Sequence, residues 1–174
     1  MQSAADIELQ AHSAWDHGHR VRARQLFQRG ADAGAVGCMV VLGYFYDVGI
    51  GAHSDKNTAM HWYKRAYRKG DAAAASNIAV LYEEQGKSRL VFGWYARSAA
   101  LGDGDSSLEL AKLYLSGQGV RSSVKSAKKH LRAALSSRSI TEASREEAQE
   151  LMHRLARKAG PNNSFKPTPL RGAA

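Results

Sequence analysis

Three histidines and an aspartate fall within eight residues: His12, Asp16, His17 and His19. Imidazole and carboxylate ligate divalent transition metals, so the cluster invites a metal-site reading. The four straddle a turn at Gly18, and nothing in their spacing fixes them on one point. They read as solvated turn residues, and no metal is expected. His53 and His61 stand alone. Cys38 has no base at nucleophile spacing and reads as a small buried residue. Gly49-Ile50-Gly51 and Gly117-Gln118-Gly119 have a Gly-x-Gly form, but neither follows a strand or opens a phosphate-cradling motif. They read as helix terminators. No catalytic constellation and no cofactor are expected, and the chain is read as not an enzyme.

The residues that would position any chemistry repeat along the chain. Gly34 to Gly70 is 36 residues, and Gly70 to Gly102 is 32. Leu42-Gly43-Tyr44-Phe45-Tyr46 is echoed by Ile78-Ala79-Val80-Leu81-Tyr82 and by Leu110-Ala111-Lys112-Leu113-Tyr114. Trp62-Tyr63 is echoed by Trp94-Tyr95, and His130 stands at the tryptophan place of the next unit, where it reads as a packing residue. A fixed period of this length marks stacked supersecondary units, none of which buries its apolar face alone.

Each unit reads as two helices. Helix A of the first complete unit is expected near 35–48, with Met39, Leu42, Phe45 and Tyr46 at three- and four-residue steps. Helix B is expected from the caps Ser54-Asp55 to Gly70, and Ser123 takes the place of Asp55 two units later. Gly43, Ala79 and Ala111 are equivalent small residues that let helices approach closely. An N-terminal unit is degenerate but visible in Trp15, Ala23, Leu26-Phe27 and Gly34, with His12 at the small place.

This pattern resembles the Sel-1-like repeat family, a branch of the tetratricopeptide-like α/α solenoids. The resemblance rests on L-G-x-x-Y-x-x-G-x-G at Leu42–Gly51, on A-x-x-W-Y at Ala59–Tyr63 and on the closing Gly70, and it covers roughly residues 5–136. It implies an all-α, right-handed solenoid of about four helix-pair repeats. The units would lie at about 5–34, 35–70, 71–102 and 103–138, with a C-terminal capping helix at 141–158. Ala148, Leu151, Met152 and Leu155 form the apolar stripe of that helix. Residues 160–174 show no periodicity and read as a flexible tail.

By similarity to tetratricopeptide arrays, helix A residues just after the small position line the concave face. Placed on this sequence they include Asp16, Tyr44, Asp47, Val80, Glu83, Glu84, Lys112 and Leu115. That strip is acidic, although the whole chain carries a net charge of +9. The resemblance therefore implies a non-enzymatic protein–protein interaction module, an adaptor or regulatory scaffold. The strip would hold a basic or amphipathic partner peptide, or its charges would only keep the groove soluble. The excess positive charge lies elsewhere: residues 1–120 carry +1, and residues 121–174 carry +8. Lys125, Lys128, Lys129 and Arg132 share one helix face, so the alternative reading is a basic accessory protein that meets nucleic acid there. The bland reading of these residues is a solvated face. β-Lactam-related activity has been linked to cysteine-rich members of the family, and it is not carried over to a chain with one cysteine.

No apolar run approaches the ~20 residues that span a bilayer. Met1–Gln10 shows no basic region followed by an apolar one, so no signal peptide is expected. With its single cysteine, the chain reads as a bacterial cytoplasmic protein. The sequence leaves the partner and the oligomeric state open.

Overall fold

The computed structural model describes residues 2–50 and 53–158. Gly51 of the terminator motif and the tail expected at 160–174 lie outside the described residues. Among those described there are nine α-helices and no strand; an isolated bridge joins Asp103 and Ser139. The helices are α1 (Ala4–Asp16), α2 (Arg20–Asp32), α3 (Val36–Val48), α4 (Lys56–Tyr67), α5 (Ala72–Glu84), α6 (Ser88–Ala100), α7 (Gly104–Ser116), α8 (Val124–Ser136) and α9 (Glu142–Lys158).

Side-chain caps set most of the starts. The Ser3 hydroxyl accepts from the Asp6 backbone N–H while the Asp6 carboxylate accepts from that of Ser3, a reciprocal capping box. Asp55 accepts from the N–H groups of Asn57 and Thr58, Asp71 from Ala74, Asp103 from Ser106 and Ser123 from Ser126. Each such cap is worth about 1 kcal/mol. Of the expected pair Ser54-Asp55, it is Asp55 that caps α4; the Ser54 hydroxyl donates back to the Asp47 carbonyl. Gly49 and Gly117 end α3 and α7 with φ of +79° and +75°, a region that side chains with a Cβ avoid.

The helices pack as antiparallel neighbours, α1 on α2, α3 on α4, α5 on α6 and α7 on α8, and each pair then packs on the next. Below, α1, α3, α5 and α7 are called the A helices, and α2, α4, α6 and α8 the B helices. The core runs the length of the stack through Phe27, Met39, Leu42, Tyr63, Ile78, Leu81, Leu108 and Leu131, all below 2% exposed. Aromatic contacts link successive pairs. Trp15 and Phe27 meet Phe45 at 5.0 and 5.4 Å, Tyr67 meets Trp94 at 5.1 Å, and Phe92 meets Tyr114 at 5.4 Å. Such aromatic pairs, edge-on except for the tilted Trp15–Phe45, add about 0.5–1.5 kcal/mol each beyond their buried area. They make the stack continuous where the sequence showed only recurring rings.

The last helix, α9, closes this core. Ala148 is fully buried, and Leu151, Met152 and Leu155 pack against the cluster of Leu108, Ala111 and Leu131. At the turn before α9 the chain comes back onto α7. The Gly104 N–H donates to the Ser139 carbonyl at 2.6 Å, and a Cβ on Gly104 would sit 2.6 Å from that of Ile140. Only glycine admits that approach.

Candidate functional site

The expected groove residues occupy the second halves of the A helices, and the structure treats them unequally. Tyr44, Val48 and Val80 are exposed apolar side chains, 40–49% open to solvent. Asp47 and Glu84 are brought together although 37 residues separate them, because Lys56 lies between them. Its Nζ is 2.5 Å from Asp47 Oδ1 and 2.9 Å from Glu84 Oε2. The hydrogen bonds from Lys56 to Asp47 and then Glu84 raise its pKa above the ordinary lysine value. Asp47 is reached from below as well: the Tyr63 hydroxyl donates to its Oδ2 at 3.5 Å. Burial, and then the charge of Asp47, hold the Tyr63 phenol far above its usual range.

Lys112 turns away from this pair. Its Nζ lies 2.9 Å from Glu109 Oε1 on its own helix and 2.8 Å from Glu147 Oε2 on α9. Burial works against the charge on Lys112, but Glu147 and Glu109 outweigh it, and the pKa is raised. Leu115 also faces the end of the stack, where it lines a recess of about 280 Å³ with Val124, Leu151 and Leu155. Asp16 and Glu83 are exposed and form no ion pair among the described residues. The strip therefore contains one bridged acidic pair, two open carboxylates and apolar side chains between them.

Sequence reasoning missed Lys56. It sits in the first turn of a B helix, outside the repeated face, and no periodic signal marks it. A second omission lies between α5 and α7. There Val80, Tyr95, Asp103, Asp105, Ser106 and Glu109 line a pocket of about 400 Å³, joined by Ala73, Ser76 and Ser139. Asp105 and Glu109 lie four residues apart on one face of α7, which was a readable signal.

On α8, Lys125, Lys129 and Arg132 are exposed and Lys128 is half-buried; none forms an ion pair among the described residues. Among the described residues no group of three or more His, Cys, Asp or Glu side chains could hold a metal ion. No helix among them is long and apolar enough to cross a membrane. His130 stacks on Tyr114 with ring centroids 5.5 Å apart and planes at 16°, the packing role expected of it. Cys38 is fully buried, as expected.

Helix pairs stacked along one axis, each contributing an A helix to a common face, define the chain as an α/α solenoid. It belongs to the Sel1 repeat family, whose model matches residues 20–34, 37–71, 92–103 and 105–139. Proteins of this family are generally non-catalytic protein-interaction scaffolds. The solved structure of a Sel1 repeat protein from Oxalobacter formigenes is 20% identical and matches 91% of this chain and 74% of its own, with a TM-score of 0.71. A protective antigen of uropathogenic Escherichia coli strains, displaying an SLR fold, is 21% identical with a TM-score of 0.66 over 76% of this chain. The match spans 30% of that antigen's length. MamA is 15% identical over 87% of this chain and 81% of its own, with a TM-score of 0.55. At these identities the likeness is one of fold. Among curated proteins none matches the chain by sequence. The nucleic-acid reading receives no support from these comparisons.

Proposed function

We propose that the chain is a non-enzymatic adaptor or regulatory scaffold that holds a partner protein or peptide on the face of its A helices, with repeat units at about 5–34, 35–70, 71–102 and 103–138 and a cap at 141–158. One observation carries the reading. Tyr44, Val48 and Val80 stand exposed on adjacent A helices, beside Asp47, Glu83 and Glu84. Apolar side chains interleaved with charge supply both contact area and orientation to a partner. The Lys56 bridge supports it further, because it joins α3 to α5 from the first turn of α4.

The test is site-specific photo-crosslinking in extract of the native host, treated with nuclease. A crosslinker at Val80 on the A-helix face is compared with one at Lys129 on α8. A discrete protein adduct is expected at Val80 alone, and it should disappear when Asp47, Glu83 and Glu84 are all changed to Lys. An adduct that survives those changes overturns the reading. Adducts confined to Lys129 and abolished by nuclease would move the function to the basic helix.

A further inference from the structure

The pocket between α5 and α7 is lined by charge of one sign, with Lys112 outside its wall paired to Glu109. Asp103, Asp105 and Glu109 line it, and among the described residues no lysine, arginine or histidine does. In each carboxylate one oxygen is already engaged. Asp103 Oδ2 accepts from the Ser98 hydroxyl and the Ser106 N–H, at 3.0 and 3.1 Å. Asp105 Oδ1 accepts from the Thr141 N–H and hydroxyl, both at 3.0 Å. Glu109 Oε1 holds Lys112. These contacts fix the three side chains and leave Asp103 Oδ1, Asp105 Oδ2 and Glu109 Oε2 without a hydrogen bond among the described residues.

One buried hydroxyl points to a missing ligand independently of the charge, and a second polar group stands beside it. Ser106 is 1% exposed, and its Oγ has no hydrogen-bond partner among the described residues. Tyr95 is 8% exposed, and no hydrogen bond engages its hydroxyl among the described residues. Burial, then the charges of Glu109, Glu83 and Asp103, raise the Tyr95 pKa, so the group stays a neutral phenol that both donates and accepts. A polar atom buried without a partner costs about 1–3 kcal/mol, so such groups in a pocket wall mark a place where a ligand completes the hydrogen bonding.

We propose that this pocket seats one arginine side chain of the partner protein. The assignment rests on the A-helix face being the binding face, since Val80 belongs to both. Among the described residues no three such groups converge enough to hold a metal ion. A guanidinium is planar and carries five N–H donors in a fixed fork, so it reaches acceptors set around it. Val80 and the Tyr95 ring supply the apolar wall against which its methylene stem lies. Prior fixing of the carboxylates removes the ordering cost that loose surface acids would bear.

The experiment titrates Nα-acetyl-arginine N-methylamide into the isotope-labelled full chain and follows the backbone amides by NMR. Its lysine and citrulline counterparts run in parallel; citrulline keeps the shape and loses the charge. Saturable shifts are expected at residues of the pocket wall on α5 and α7, with a Kd of about 1–10 mM for so small a probe. The citrulline and lysine probes should bind at least about tenfold more weakly, the step that 1.4 kcal/mol gives. Glu109→Gln and Tyr95→Phe should each weaken the arginine probe several-fold while the rest of the spectrum keeps its dispersion. Equal binding by citrulline or lysine overturns the assignment. So do shifts spread evenly over the exposed acids of α5 and α9, or indifference to both variants. A failed arginine titration beside a surviving Val80 crosslink sinks this assignment alone, whereas loss of the crosslink with the titration intact removes the docking face and keeps the pocket.

Discussion

Gly43 lies directly against the Tyr63 ring: a Cβ built on Gly43 would come within 2.6 Å of Tyr63 Cδ1. The ring is 1% exposed and carries Asp47 at its hydroxyl, so it has no room to withdraw. The small residue of the repeat therefore serves contact within a unit, A helix on B helix. Gly43→Ala should lower the free energy of unfolding by about 1–2 kcal/mol even though alanine gains about 1 kcal/mol in helix propensity. Gly43→Leu should cost more. Gly93 on α6 is the control, because a Cβ there would meet only the flexible end of Arg97 at 3.2 Å. Gly93→Ala should stabilise by about 0.5–1 kcal/mol. Urea midpoints at constant slope decide both.

How far the sequence reaches is visible at this same place. The equivalence of Gly43, Ala79 and Ala111 was legible from their offsets, as were the caps at Asp55 and Ser123 and the terminators at Gly49 and Gly117. All are local or periodic signals. His12, at the small place of the first unit, packs edge-on against Phe27 at 5.0 Å and 85°, so even the degenerate repeat keeps an A-to-B contact there. The Asp47–Lys56–Glu84 bridge was not legible, because it depends on how a loop delivers a helix's first turn to two other helices. Of the pocket only the Asp105–Glu109 spacing on α7 was readable; the rest was illegible for the same reason. Its walls come from α5, α6, α7 and Ser139, and no window of the chain contains them together.

Lys56 governs how much negative charge the A-helix face offers. Its pair with Glu84 joins side chains 43% and 48% exposed and contributes within about 1 kcal/mol, whereas Asp47 is only 14% exposed and its pair with Lys56 is the less screened of the two. Lys56→Met should lower the urea midpoint modestly, because Asp47 loses its cation, and release two carboxylates toward a partner. A basic partner should then associate faster, with a steeper salt dependence, by stopped-flow measurement. The sign for stability follows from the raised lysine pKa: the contribution is fully present below the ordinary value of 10.5 and is lost as pH rises through the higher folded value. The small penalty of Lys56→Met should therefore be flat across neutral pH and vanish only in strong alkali.

Cys38 is a buried thiol whose pKa is raised from 9.0 to about 11, by burial first and the charge of Glu8 second. The thiolate is the reactive form, so the native protein should resist iodoacetamide at pH 8 and react only as it unfolds. Because the folded pKa is the higher one, the unfolded chain ionises first. The Cys38 contribution is complete below pH 9 and is lost between there and about pH 11. Cys38→Ala should remove that part of the alkaline loss, seen as a shallower fall of the urea midpoint over the same window. An unchanged slope would show that the thiol ionises freely in the fold.

His130 carries the opposite sign. It stacks on Tyr114, and burial first, then Lys129, hold its pKa below the ordinary histidine value of 6.5. A folded state that disfavours the imidazolium binds fewer protons than the unfolded chain. Stability from this residue is therefore present above pH 6.5 and is lost as pH falls through the lowered folded value. The repeat places tryptophan here, so an aromatic ring without a titrating nitrogen suits the site. His130→Phe should keep the stack on Tyr114 and flatten the fall in melting temperature between about pH 7 and pH 5. At neutral pH the two proteins should melt within a few degrees of each other. A variant as acid-sensitive as the parent would assign the loss to other groups and leave His130 as packing alone.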